Sequence, residues 1–340
     1  MAISVDGAGR TRASDTMPSV IRALAPLCAA VVLLAVACSG GDGDDGSPSQ
    51  GPTVVETPST ATGCSPARAA QPGDSVITTT SGGVERTYVL HVPPLYDGAE
   101  PVPLVLVLHG FSLTGSFMSG YTLFGEEGDG EGFISVFPNG LGEPQRWNAD
   151  KTVDQADDVA FLRDLIAKLQ SDLCIDSDRI FAAGYSNGGG MAQRLACEAP
   201  DTIAAIGTVA ATYVECRAPL PWIGFHGTAD PLVPFEGGPR PAEAGGGEFY
   251  PARRALSEWA REVGCDGLGQ ISRLSGDVEL TTYVRCTLGD GEVLLYTILA
   301  GGHTWPGAYD LPVETVGTTS KQIDATKTMW EFFSAHAGTR

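Results

Sequence analysis

Between residues 84 and 336 the chain reads as short apolar runs separated by polar, glycine-rich breaks. Pro103-Leu104-Val105-Leu106-Val107-Leu108 is apolar without interruption, the pattern of a strand buried on both faces. Comparable runs predict strands at residues 132–137, 179–183, 221–227 and 293–299, with flanking strands at 86–92 and 279–286. The period changes between them. Val159, Leu162, Leu165, Ile166, Leu169 and Leu173 recur on one face of a helix. Asp157 and Asp158 fall in its first turn, where the helix dipole favours carboxylates, and are read as capping residues. Residues 189–196 suit a second helix and 321–336 a final amphipathic one, while the stretch from residue 122 to the strand at 132 reads as a glycine- and acid-rich loop. Strands alternating with helices predict an α/β fold, a mostly parallel central sheet with helices on both faces.

The first part of the chain changes the picture of where folding begins. Residues 24–37 are apolar but shorter than the roughly 20 residues of a spanning helix, and suit a signal-peptide core. They end in Ala35-Val36-Ala37-Cys38-Ser39-Gly40, which resembles a bacterial lipoprotein signal with Cys38 as the lipidated residue. The expected organisation is a signal peptide at 1–38, a polar linker at 39–63 that cannot bury enough apolar surface to fold, and one catalytic domain at 64–340. This predicts an exported protein, at the cell surface or beyond it, that meets the membrane only through a lipid at Cys38. Six further cysteines fit the oxidising compartment, and the expected pairs are Cys64–Cys174, Cys197–Cys216 and Cys265–Cys286. With 41 acidic against 21 basic residues, nucleic acid is excluded as a partner and a neutral substrate fits better than an anionic one. No metal-ligand spacing is present, so neither a metal nor another cofactor is expected.

Chemistry enters at Gly184-Tyr185-Ser186-Asn187-Gly188. A strand precedes this G-x-S-x-G pentapeptide and a helix follows, the setting of a nucleophile elbow, in which a sharp turn lifts the serine hydroxyl above a sheet. A serine nucleophile needs a histidine base and a carboxylate to orient it, and on such sheets the chain order is Ser, acid, His. Asp230 follows the strand at 221–227, and His303 lies on a glycine-rich loop after the strand at 293–299, so the order Ser186, Asp230, His303 fits. His226 is read instead as a packed strand-end residue, Asp201 as a surface turn, and His91 as a strand residue with no evident partner. Two backbone N–H groups should form an oxyanion hole: that of Asn187, after the nucleophile, and that of Phe111, after His109-Gly110. His109 is expected to brace that loop by hydrogen bonding.

Together Leu108-His109-Gly110, Trp147-Asn148, Asp157-Asp158-Val159, the elbow, His226-Gly227-Thr228-Ala229-Asp230 and Gly301-Gly302-His303-Thr304-Trp305-Pro306-Gly307 resemble the secreted poly(3-hydroxybutyrate) depolymerase and feruloyl esterase group of α/β-hydrolases. The resemblance implies an α/β-hydrolase fold, the triad Ser186, Asp230 and His303, and substrate contacts from Trp147 and Trp305 converging on the cleft. It implies hydrolysis of carboxylic esters by a monomer, on a feruloyl or acetyl polysaccharide ester or a hydroxyalkanoate polyester. Phe111 directly after His-Gly departs from the group and is expected to narrow the acyl pocket. A catalytically silent surface-binding lipoprotein and a peptidase on the same fold are the alternative readings.

Overall fold

The computed structural model describes residues 63–151, 156–212, 220–242, 245–266, 269–287 and 292–337. The expected signal segment with Cys38, nearly all of the linker, and Cys216 lie outside the described residues.

Ten strands form one sheet: β1 (Gly73–Ser81), β2 (Val84–Val92), β3 (Val102–Leu108), β4 (Ile134–Pro138), β5 (Ile175–Tyr185), β6 (Ala205–Val209), β7 (Trp222–Gly227), and, after the short hairpin β8 (Gly238–Pro239) and β9 (Glu248–Phe249), β10 (Gln270–Ser275), β11 (Val278–Tyr283) and β12 (Val293–Ile298). Their order is β1-β2-β4-β3-β5-β6-β7-β12-β11-β10. The six central strands, β4 to β12, run parallel, and antiparallel pairs close both edges. The chain leaves β3 for β4 on one side and returns to β5 on the other. That reversal opens a crevice at the carboxyl ends of β3 and β5, where sheets of this type bind ligands.

Alternate residues of each central strand serve different helix layers. Leu104, Leu106 and Leu108 face α3 (Asp158–Asp172), α4 (Asn187–Glu198) and α5 (Ala252–Glu262); Val105 and Val107 face α1 (Gly115–Thr122), α2 (Phe124–Glu131) and α7 (Ala325–Ala335). A one-turn helix, α6 (Val313–Val316), lies beyond β12. The burial of both faces accounts for the unbroken apolar run at β3.

The expected acid-rich loop after residue 122 is mostly helix α2. Its sequence FGEEGDGE has low helix propensity, and close packing compensates: a Cβ on Gly125 would sit 2.9 Å from the His91 ring. His91, expected to lack a partner, is bridged by Asp74 (2.6 Å) and Asp129 (2.9 Å). Burial lowers its pKa, but the bonds to Asp129 and Asp74 outweigh burial and raise it. Disulfides join Cys64–Cys174 and Cys265–Cys286 as expected.

Candidate active site

Ser186 sits between the end of β5 and the start of α4 with φ 54° and ψ −119°. A non-glycine residue held at positive φ stores about 1–3 kcal/mol of strain, which the surroundings must hold in place. They do so through the Ser186 N–H, which donates to the Val209 carbonyl at 2.8 Å, and through close backbone packing. A Cβ on Gly188 would come within 2.2 Å of the Leu108 carbonyl oxygen, so only glycine lets α4 start against β3. Ser186 is half-buried, and its hydroxyl makes no hydrogen bond to any described residue.

Asp230 lies just past β7 and His303 on the loop after β12; these strands are neighbours in the sheet. His303 Nδ1 bonds Asp230 Oδ2 at 2.7 Å, with side-chain exposures of 5% and 0%. A carboxylate only accepts, so Nδ1 is the donor in this bond. The other carboxylate oxygen, Oδ1, accepts the N–H groups of Leu232 and Val233, each at 2.8 Å. Behind it the buried His226 donates from Nε2 to the Val233 carbonyl (2.8 Å), with Asp230 Oδ2 3.5 Å away. Burial depresses the His226 pKa, against the pull of Asp230, so the ring stays neutral. The backbone of His303 is held on both sides: its N–H donates to Val316 O (2.6 Å), and its carbonyl accepts from the Tyr185 hydroxyl (2.6 Å). Burial raises the Tyr185 pKa and keeps that donor protonated.

The N–H groups of Phe111 and Asn187 have no acceptor among the described residues, as an oxyanion hole requires. His109 braces their loop: its Nε2 accepts the Gly140 N–H (2.9 Å) and its Nδ1 bonds the Gly110 carbonyl (2.8 Å). Burial drives its pKa down to about 4, so it is neutral at pH 7.

Trp147 does not line the cleft as an exposed indole. It is 2% exposed, packs against the His109 ring with centroids 5.0 Å apart, and donates from Nε1 to the His109 carbonyl at 3.0 Å. Its backbone N–H and carbonyl are both taken by the Asn187 side chain, at 2.7 and 3.1 Å. The reason is the loop's position: residues 140–147 run against the turn at residues 109–112, so the large ring fills that space. Trp305 is also turned inward, at 1% exposure, with its Nε1 on Thr326 Oγ1 (3.0 Å) and its ring edge-on to Phe124. A cavity of about 310 Å³ touches Trp305 together with Leu123, Glu127 and Asp324, and includes none of Ser186, Asp230 and His303.

Several supporting residues carried no signal in the sequence as read. Asp157 caps α3 as expected, but Asp158 is a buried partner of Arg86 (2.6 Å) that also accepts the Asn148 N–H (2.7 Å). The same Arg86 lies 3.8 Å from the Phe161 ring centroid. Tyr121 accepts the Trp305 N–H at 3.0 Å. These partners are 10 to 184 positions apart, beyond any local pattern.

Residues 86–218 match the family Esterase PHB depolymerase. Putative esterase NocK of Nocardia uniformis subsp. tsuyamanensis is 30% identical over 74% of this chain and 79% of its own length. The chain belongs to the PHB depolymerase esterase family. Feruloyl esterase B of Piromyces equi is 31% identical over 64% of the chain, and the match spans 42% of that relative's length. Probable feruloyl esterase C of Aspergillus niger is 34% identical over 46% of the chain and 60% of its own length. In fold the protein is similar to the acetyl xylan esterase from Aspergillus awamori, with TM-score 0.56 and 16% identity over 76% of this chain and 99% of that one. The S-formylglutathione hydrolase from Agrobacterium tumefaciens shares the fold with TM-score 0.51 and 14% identity, covering 79% and 98% of the two chains.

Proposed function

We propose that this protein is an exported serine esterase that hydrolyses carboxylic esters through an acyl-enzyme on Ser186. The buried 2.7 Å bond between His303 and Asp230, on a histidine loop tied by the Tyr185 hydroxyl to the strained strand-to-helix turn that holds Ser186, carries the reading. Ser186 Oγ attacks the ester carbonyl carbon while His303 Nε2 takes its proton. The N–H groups of Phe111 and Asn187 stabilise the oxyanion, the imidazolium returns the proton to the leaving alkoxide, and water repeats the sequence on the acyl-enzyme.

Feruloyl or acetyl esters of polysaccharides, or hydroxyalkanoate oligomers, are the proposed substrates; the matched relatives carry feruloyl esterase among their names. Export is supported by the two disulfides, which persist in oxidising compartments. Anchoring through a lipid on Cys38 belongs to the same proposal. Among the described residues no helix is long and apolar enough to cross a membrane.

Labelling with a fluorophosphonate probe tests the reading. Wild-type protein should label at Ser186, and Ser186→Ala should lose the label and lower kcat about 10⁶-fold, to the level an oxyanion hole and binding alone sustain. Labelling of Ser186→Ala, or turnover in it well above that residual level, would overturn it.

A further inference from the structure

Both tryptophans expected at the cleft are buried, yet the site has exposed aromatic surface. Among the described residues the only large aromatic side chains more than a third exposed are Phe111 (40%) and Tyr309 (52%). Phe111 is on the oxyanion turn and Tyr309 on the loop that follows His303. An exposed ring on a pinned loop beside a nucleophile is a contact surface awaiting a ligand.

The surface can be followed outward from the nucleophile. A Cβ placed on Gly110 would lie 3.4 Å from Ser186 Cβ and 3.3 Å from Leu113 Cδ1, so the serine and the leucine both border Gly110. Leu113 precedes α1, and the half-buried Phe117 lies one turn further along that helix. Phe117 packs on the Tyr121 ring at 5.2 Å, and Tyr309 meets the same ring edge-on at 5.1 Å. Tyr121 is fully buried, and its ring is 6.0 Å from that of Tyr185, the residue before the nucleophile. Tyr121 is therefore a floor, with Phe117 and Tyr309 as two partly open rings on it.

The floor and the Tyr309 loop are both held fast. The Tyr121 hydroxyl accepts the Trp305 N–H, and Trp305 is locked onto Thr326. Gly307 N donates to Ser320 O at 2.9 Å, while Lys321 bonds the Ala308 carbonyl and pairs with Asp310 at 3.0 Å. The loop needs no ordering when a ligand arrives, which favours binding.

From this arrangement we infer that Phe117 and Tyr309, with Leu113 at the serine end, form a shelf that binds an aromatic acyl group and sets acyl specificity. The inference rests on the esterase reading of Ser186. A planar conjugated acyl group bonded at Ser186 would run along Leu113 and lay its ring between Phe117 and Tyr309. A short aliphatic acyl group would stop at Leu113. Trp305 then has a different job from the one expected of it: it anchors the loop that presents Tyr309.

The experiment compares kcat/KM for methyl ferulate and methyl 3-hydroxybutyrate, which share an alcohol and differ only in the acyl group. Tyr309→Ala and Phe117→Ala should each lower the ferulate-to-hydroxybutyrate ratio about tenfold, the worth of one lost ring contact. Tyr309→Phe, which keeps the ring, should retain the ratio. An unchanged ratio in both alanine variants would overturn the shelf, as would a wild-type enzyme that cleaves only the hydroxybutyrate ester. Either result would leave fluorophosphonate labelling of Ser186 intact, whereas failure of the esterase reading would abolish that labelling in the wild type.

Discussion

Asp230 and His303 reach each other from the ends of neighbouring strands, whereas the two proposed oxyanion donors depend on a third segment lying beneath them. In the first half of the site every polar atom of the Asp230 carboxylate is occupied: two backbone N–H groups on one oxygen, His303 on the other. In the second half no charge is involved. Phe111 and Asn187 are fixed because Trp147 fills the space under the turn, bonds the His109 carbonyl, and is gripped by the Asn187 side chain. One half is organised by a buried charge and the other by the shape of a large side chain. The two should therefore fail differently. Damage to the first should show in rate alone, and damage to the second in rate and stability together.

The largest expected effect is on the charged half. Asp230→Asn should lower kcat by about 10⁴ while leaving the thermal midpoint nearly in place, because the amide favours the wrong imidazole tautomer. Steady-state kinetics beside thermal denaturation checks this; a variant that keeps its rate would implicate another carboxylate.

Trp147→Ala should show the mixed signature. Loss of one oxyanion donor costs about 10²–10³ in kcat, and emptying a fully packed indole site costs about 3–5 kcal/mol of stability. Both should appear in the same variant. If stability fell and kcat held, the oxyanion turn would be independent of the ring beneath it.

The smallest effect is a pH dependence of the packed half. His109 has its pKa lowered from 6.5 to about 4 by burial, so the unfolded chain takes up this proton first. Stability from the neutral ring is fully present above pH 6.5 and is lost as the pH falls through about 4, at most roughly 3 kcal/mol. Glutamine at this position can accept from Gly140 N–H without titrating. His109→Gln should therefore flatten the fall in thermal midpoint between pH 6.5 and 4; an unchanged slope would assign the acid sensitivity elsewhere.

Legibility in the sequence followed the range of the forces involved. Ser186 was readable because strand, turn and helix are contiguous, and the glycines that permit the turn are its immediate neighbours. Asp230 and His303 were readable because each follows an apolar run that announces a strand end. Trp147 and Trp305 were placed on the correct loops but aimed the wrong way. A loop has no period, so its sequence says nothing about which side faces inward. Helix α2 was hidden for another reason: its glycines weaken helix propensity, and the use of Gly125 and Gly128 lies in close approach to His91 and Phe133, which only the packed structure reveals.

By itself the sequence determined the α/β alternation, the parallel core of the sheet, and the strand ends that carry Ser186, Asp230 and His303. All of these are written in local periodicity or chain order. Only the tertiary structure decided which aromatic rings are buried and which are exposed, how Arg86 and Asp158 pair, and how Tyr185 and Tyr121 tie the histidine loop to the sheet. Those choices rest on contacts between residues far apart in the chain. They are settled by how volume is filled and how buried polar groups find partners, and neither is encoded at any one position.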